Sequence, residues 1–268
     1  MVDIVRRLAG AWSDSFGRMR AARDRPLPHL PQSRPRVLVV GAYLAERKNL
    51  IGHLVHTLAS SRHCEVTQRW AAIGHAPPDA AVAAVTVEEV LSPIPKLTLI
   101  NRIVGRADLE RYDYIMVCDD DITLPRDFID RFIGWQQHCG FALAQPARTW
   151  NSYVDHRFVR RRLHCKARET RFVEIGPVIC FDRAMGRLLL PFDQASAMGW
   201  GYDLVWPVIA QKHGLRLGIV DDAAVEHRIR ARGAFYPAGP ELQSMQDFLA
   251  TREHLCARDA FVVRKTYR

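Results

Sequence analysis

A chain of 268 residues, 48% of them apolar and 25% charged, can bury one sizeable core, which excludes disordered and fibrous classes. No apolar run approaches the roughly 20 residues needed to cross a bilayer, and Arg6, Arg7 and Asp14 interrupt any signal-peptide core, so a cytoplasmic protein is expected. A net charge of +9 calls for an anionic partner: nucleic acid, acidic lipid headgroups or a nucleoside diphosphate. The six cysteines (Cys64, Cys118, Cys139, Cys165, Cys180, Cys256) form no C-x-x-C pair. That argues against zinc knuckles, and the expected compartment argues against disulfides, leaving reduced thiols.

In chain order, residues 1–25 read as a basic amphipathic helix. Val5, Leu8, Trp12, Phe16 and Met19 recur at steps of three and four, with arginines mostly elsewhere on the wheel. Packing on its own domain or on a partner chain fits that pattern, and so does peripheral attachment to an anionic inner membrane face. Four prolines between Arg25 and Pro35 stop the helix and make residues 26–35 a linker. Arg36-Val-Leu-Val-Val-Gly41 is the short, fully apolar run of a buried parallel strand. A helix over Asn49–Ser60 and a strand over Glu65–Ala72 follow, then a variable proline-bearing stretch. Lys96–Gly105 is expected to be helical, Tyr112–Cys118 a buried strand, Pro125–His138 a helix and Phe141–Gln145 a strand. Residues 157–171 form a basic loop. Phe172–Ile175 and Val178–Phe181 read as strands, Arg183–Leu190 as a helix, and a further helix follows Gly201. Leu215–Val220 is the last strand expected, ahead of a helical extension over residues 236–268. Strand and helix in alternation imply an α/β fold with a mostly parallel central sheet flanked by helices, whose ligands bind at the carboxyl edges of strands.

Three segments carry chemistry. Tyr114-Ile-Met-Val-Cys118 runs into Asp119-Asp120-Asp121, three successive carboxylates that repel one another unless a cation joins them. Alternation places Asp119 and Asp121 on one side, a hard oxygen pair suited to Mn²⁺ or Mg²⁺ bridging a diphosphate. Capping of the helix near Pro125 is the competing role. In Gly199-Trp200-Gly201-Tyr202-Asp203, two glycines permit a tight turn and present the indole as a platform for a sugar ring. Asp203 then falls in the first helical turn, where it could accept a proton from an attacking hydroxyl. A core tryptophan followed by an N-terminal helix acid is the plainer alternative. The third segment is Val225-Glu226-His227, whose imidazole could complete a metal's shell opposite the carboxylates.

In this order the three segments resemble those of inverting glycosyltransferases of the GT-A (nucleotide-diphospho-sugar transferase) fold. They are most similar to galactosyltransferase-like enzymes with a D-x-D motif, a Gly-Trp-Gly turn ending in acid, and a late metal-binding histidine. The chain is also similar, over Arg36–Arg230, to a glycosyltransferase-like family that pairs Phe172-Val-Glu-Ile-Gly-Pro177 with Gly-Trp-Gly and an Asp. The resemblance implies that Asp119, Asp121 and His227 serve the metal and Asp203 is the base. It also implies that Asp119 and Asp120 contact the donor and that Trp200, Gly201, Tyr202 and Glu174 form the acceptor or sugar pocket. Tyr202 stands where the family turn carries a Glu, so Glu174 is the alternative acid. Tyr43 and Arg47, after the first strand, are candidates for the nucleobase, and Lys96 and Asn101 for the diphosphate or ribose.

The implied function is transfer of a sugar from a nucleotide-diphosphate donor, a UDP-sugar favoured, to a saccharide or lipid-linked acceptor in surface polysaccharide or glycolipid synthesis. The basic 157–171 stretch is a lid, a grip on an anionic acceptor, or a solvated loop. A nucleotidyltransferase would be expected to carry a glycine-rich loop after the first strand, which Gly41-Ala-Tyr-Leu-Ala-Glu-Arg47 is not. A catalytically inactive sugar-binding relative remains the other alternative. No nucleic-acid-binding signature is present, and the acidic triplet would repel phosphate without a metal.

Overall fold

The computed structural model describes residues 34–230 and 238–268, so the expected N-terminal helix and most of the linker lie outside the described residues. In chain order the elements are β1 (Arg36–Leu44), α1 (Ile51–Ala59), β2 (Glu65–Ile73), α2 (Ala80–Ala83), β3 (Thr86–Val90), α3 (Lys96–Ile103) and α4 (Asp108–Arg111). Next come β4 (Tyr114–Asp119), β5 (Ile122–Thr123), α5 (Phe128–Cys139), β6 (Leu143–Arg148), β7 (Ala167–Thr170), β8 (Val178–Asp182) and α6 (Arg183–Leu189). The chain continues through α7 (Tyr202–Lys212), β9 (Leu217–His227), α8 (Ala238–Ala250), α9 (Ala257–Ala260) and β10 (Val263–Tyr267).

The strands form one sheet in the order β10-β7-β9-β6-β8-β4-β1-β2-β3, with β5 paired to β9 off this path. Strands β3, β2, β1 and β4 are parallel neighbours, as are β6 and β9. Along this path β7 and β8 run against the common direction, and the short β5 is antiparallel to β9, so the sheet is mostly parallel. Apolar side chains cover both faces, as buried parallel strands require. Along β1, Val37 and Val39 join a core with Leu54 and Leu58 of α1 and Phe128 and Phe132 of α5. Leu38 and Val40 enter the opposite core, with Leu97 and Ile100 of α3 and Trp206 of α7. Helix ends follow local chemistry: Asp182 accepts from Met185 N at 2.9 Å to open α6, and Gly140 at φ 62° closes α5.

Four sequence expectations are corrected. Phe172–Ile175 joins no ladder: Phe172 and Val173 are buried by side-chain packing, and the Glu174 N–H is taken by the Gln145 side chain instead of a neighbouring strand. The last expected strand runs on to His227, which changes what it can reach. The C-terminal segment is not all helical, since β10 pairs antiparallel with β7 and closes that edge of the sheet. The basic 157–171 stretch is also only partly a loop. Arg168 in β7 is fully buried against Asp221, Nε to Oδ2 2.8 Å, and donates to the Phe158 and Arg160 carbonyls at 3.0 and 3.1 Å.

Candidate functional site

The acidic triplet lies where β4 ends at the carboxyl edge of the sheet. Asp119 is the last residue of β4, and its backbone N–H donates to Pro177 O at 2.8 Å. The chain then enters β5, where Ile122 pairs with His227 and Thr123 with Glu226 of β9. That register sets Asp121 beside the histidine: Nε2 of His227 lies 3.2 Å from Oδ2 of Asp121, across 106 residues of sequence.

Each carboxylate of the triplet has its own partners. Asp119 takes Lys96 from the start of α3, Nζ to Oδ1 2.5 Å. Asp120 accepts from Leu44 N at 2.9 Å, which ties it to the end of β1, and its carboxylate is gripped by the Arg230 guanidinium. Nη1 of Arg230 is 3.2 Å from Asp120 Oδ2, and its Nε donates to Asp121 Oδ2 at 3.0 Å. Two basic side chains from distant segments therefore supply the positive charge that three adjacent carboxylates demand. Burial pushes the Arg230 guanidinium down from its usual range, and the charge of Asp119 opposes that push.

His227 is oriented from behind. Arg148, the last residue of β6, lies with Nη1 3.4 Å from His227 Nδ1. Arginine only donates, so Nδ1 accepts and Nε2–H faces Asp121. Arg148 is itself buried and paired with Glu174, Nη2 to Oε2 2.7 Å, and it donates to the Gly176 carbonyl. Burial lowers its pKa, while Glu174 beside it acts the other way.

These groups line a cleft of about 710 Å³, in the roughly 300–1,000 Å³ range of small-molecule sites. Its walls include Ala42 and Leu44 of β1, Lys96 of α3, the Glu174–Pro177 segment, and Trp200. Trp200 stands between Gly199 and Gly201, both at φ +91°, a conformation that L side chains rarely adopt. A Cβ on Gly199 would come within 2.7 Å of Ile175, so the turn also needs close backbone approach.

The other expected site residues are placed as follows. Glu174 lines the cleft, as do Asp119, Asp120, Asp121, Lys96, Trp200 and His227. Asp203 is half-buried in the first turn of α7, next after Tyr202 and outside the cleft lining. Gly201 faces Met245 and Phe248 of α8. Tyr202 packs on Phe248 with its ring tilted, centroids 4.7 Å apart, donates its hydroxyl to Asp193 O at 2.5 Å, and has its phenol pKa raised by burial. Asn101 brackets Phe192, donating to its carbonyl at 2.7 Å and accepting from its N–H at 2.9 Å, so it holds the chain that leads to the Gly-Trp-Gly turn. Tyr43 turns into the core, its hydroxyl 3.1 Å from Thr86 Oγ1, and Arg47 is exposed in the turn after β1.

Sequence reasoning gave no site role to Arg230, Arg148, Tyr153 or Asp155, all of which line the cleft. An arginine closing an apolar strand was the visible signal for Arg148. Nothing in the pattern marks Arg230 beyond its place three residues after His227.

The donor set of Asp119, Asp121 and His227, two hard oxygens and a borderline nitrogen on one edge, suits Mn²⁺ or Mg²⁺ in chemistry. Among the described residues no three His, Cys, Asp or Glu side chains already converge on one point. Lys96 and Arg230 hold the carboxylates, and a cation on Nε2 would have to replace the proton there.

No protein-family model matches the sequence, and no curated protein matches it. Solved structures do match. The mannosyltransferase PcManGT from Pyrobaculum calidifontis, in complex with GDP-Man and Mn²⁺, is similar at 19% identity and a TM-score of 0.50. That match covers 84% of this chain and 66% of the other. GalNAc-T7 with UDP, GalNAc and Mn²⁺ is similar at 10% identity and a TM-score of 0.52, with 84% and 53% covered. The present chain thus spans less than two thirds of either neighbour. At these identities the likeness is one of fold, and the fold is that of the GT-A glycosyltransferases.

Proposed function

We propose that this chain is a metal-dependent glycosyltransferase that moves a sugar from a nucleoside diphosphate sugar to an acceptor hydroxyl. The observation that carries the reading is the approach of His227 to Asp121 at 3.2 Å, beside Asp119, in a cleft at the carboxyl edge of a GT-A sheet. The GDP-Man and UDP complexes of its two structural neighbours support a nucleotide-sugar donor, a UDP-sugar being tried first.

Asp119, Asp121 and His227 would hold Mn²⁺ or Mg²⁺, whose charge offsets that of the departing diphosphate. Trp200 offers its face to a sugar ring. The reaction is written as a single displacement with inversion. The acceptor oxygen bonds to the anomeric carbon, the bond from that carbon to the phosphate oxygen breaks, and the acceptor's proton passes to a carboxylate. Asp203, three residues beyond Trp200, is the proposed base, and Glu174 and Asp155 in the cleft wall are the acids to compare with it. Lipid-linked saccharides of surface polysaccharide or glycolipid synthesis are the acceptors to test first.

Transfer should stop in EDTA and return with Mn²⁺ or Mg²⁺. D203N should abolish transfer while leaving donor binding intact. Undiminished transfer in chelator would remove the metal from the reading. Full turnover by D203N, with loss in E174Q or D155N, would move the base to the cleft wall.

A further inference from the structure

The cations that stand on the acidic triplet are side chains of the protein itself, Lys96 on Asp119 and Arg230 on its two neighbours. Arg230 is only 14% exposed and binds two successive carboxylates, meeting Asp120 through both terminal nitrogens and Asp121 Oδ2 through Nε at 3.0 Å. The Asp121 oxygen it takes is the one that faces His227 Nε2. Arg230 and a divalent ion would therefore compete for one acceptor atom and for the same negative charge. They differ in what they can supply. A guanidinium neutralises one charge and satisfies several acceptors in a fixed plane, whereas a hard divalent ion brings two charges and demands oxygens at about 2.0–2.6 Å. The carboxylate of Asp121 is 6% exposed, so it has little water to fall back on and gains from a cation beside its contact with His227.

We infer that Arg230 is the resident counterion of Asp120 and Asp121 and an internal competitor of the catalytic metal, a positioning residue that must let go of Asp121 before the ion can bind. The inference rests on the metal-site reading given above, and it assigns to this chain a metal affinity held below what its carboxylates alone would give. Arg230 also keeps the triplet in place while no ion is bound. Its segment begins directly after His227, so one short stretch of chain carries both a metal ligand and the metal's rival.

The test is Mn²⁺ titration of the full chain without nucleotide, read by the paramagnetic signal of free Mn²⁺ and by the melting temperature. R230Q removes the charge and keeps an amide of similar reach, while R230K keeps the charge with fewer contacts. R230Q is expected to bind Mn²⁺ about tenfold tighter than the native protein, with R230K close to native. In the absence of metal R230Q should melt lower, and Mn²⁺ should raise its melting temperature more than that of the native protein. A merely structural role for Arg230 would weaken binding or leave it unchanged, and either result in a folded R230Q overturns the inference. If R230Q does not fold without metal, its recovery on folding in Mn²⁺ supports the counterion role, and failure there overturns it. D121N is the control. If the native protein and R230Q bind with equal affinity and D121N does not, the metal site stands and the competition falls. If native protein and R230Q both take up no Mn²⁺, the metal-site reading fails and this inference with it.

Discussion

Three neighbouring aspartates have three different sets of partners. Asp120 accepts from Leu44 N at 2.9 Å and so ties the acidic turn to the end of β1. Asp119 and Asp121 flank it, one held by Lys96 and the other by His227 and Arg230. Losing a ligand is more damaging than losing an outer-shell partner, which costs about 10–100-fold in metal affinity. D121N and H227A are therefore expected to lower Mn²⁺ affinity by at least about a hundredfold, measured by the same titration. D120N should act mainly on stability, since its oxygens hold Leu44 and Arg230. Equal metal affinity in H227A and native protein would remove the histidine from the site. At this scale the sequence was a good guide to which residue types gather at the cleft and a poor one to direction. Asp121, His227, Lys96 and Trp200 reach the cleft, as their residue types suggested. Tyr43 shares the parity of Val37 and Val39 on β1 and follows them into the core, while Ala42 and Leu44 face the cleft. Residue type drew attention to Tyr43, and strand alternation decides where its ring goes.

At the scale of elements, the decisive contact is the two-residue strand β5 laid against the end of β9. Buried runs such as Val37–Val40 and Ile115–Cys118 were legible because parallel strands covered on both faces are apolar throughout. The same signal misled at Phe172–Ile175, where apolar residues pack without a ladder. It was missing at β7, which carries the fully buried Arg168, and at β10, whose Arg264 and Lys265 are exposed. Asp221 joins these pieces. It receives Arg168 Nε at 2.8 Å and Arg162 N at 2.7 Å, fastening the basic segment to β9. D221A leaves a buried guanidinium unpaired and should cost about 3–5 kcal/mol in chemical denaturation. A cost below about 1 kcal/mol would mean that the pair holds little together.

Its neighbour Asp222 makes the corresponding pH statement. Burial pushes its carboxyl up, but Lys166 at 2.7 Å, Trp135 and Arg131 together leave it below the usual carboxylate range. Stability from a depressed carboxylate is present above the unfolded-state pKa and is lost as pH falls through the folded one. D222N should therefore melt lower than native protein at neutral pH, and the gap should close in acid. A gap that stays constant with pH would show that charge is not its origin.

For the whole molecule, the sheet order brings four distant segments to one cleft: the end of β1, the β4–β5 turn, the Gly-Trp-Gly turn and the end of β9. Among the described residues no helix is long and apolar enough to cross a membrane. The order of motifs was legible in the sequence, while their meeting was expected from the resemblance and not from the residues, because it depends on β9 crossing to lie beside β6 and on a register set by β5. Arg230, which pairs with Asp120 and Asp121, was equally hidden, since its position follows no spacing rule.

The most direct test of the central claim is a melting-temperature screen of nucleoside diphosphate sugars with Mn²⁺, because a ligand that binds only the native state raises the transition. The expected result is a rise with one class of UDP- or GDP-sugar that requires Mn²⁺ and disappears in D121N and in H227A. No rise with any nucleotide sugar, or a rise that persists in both variants and in EDTA, would contradict the account.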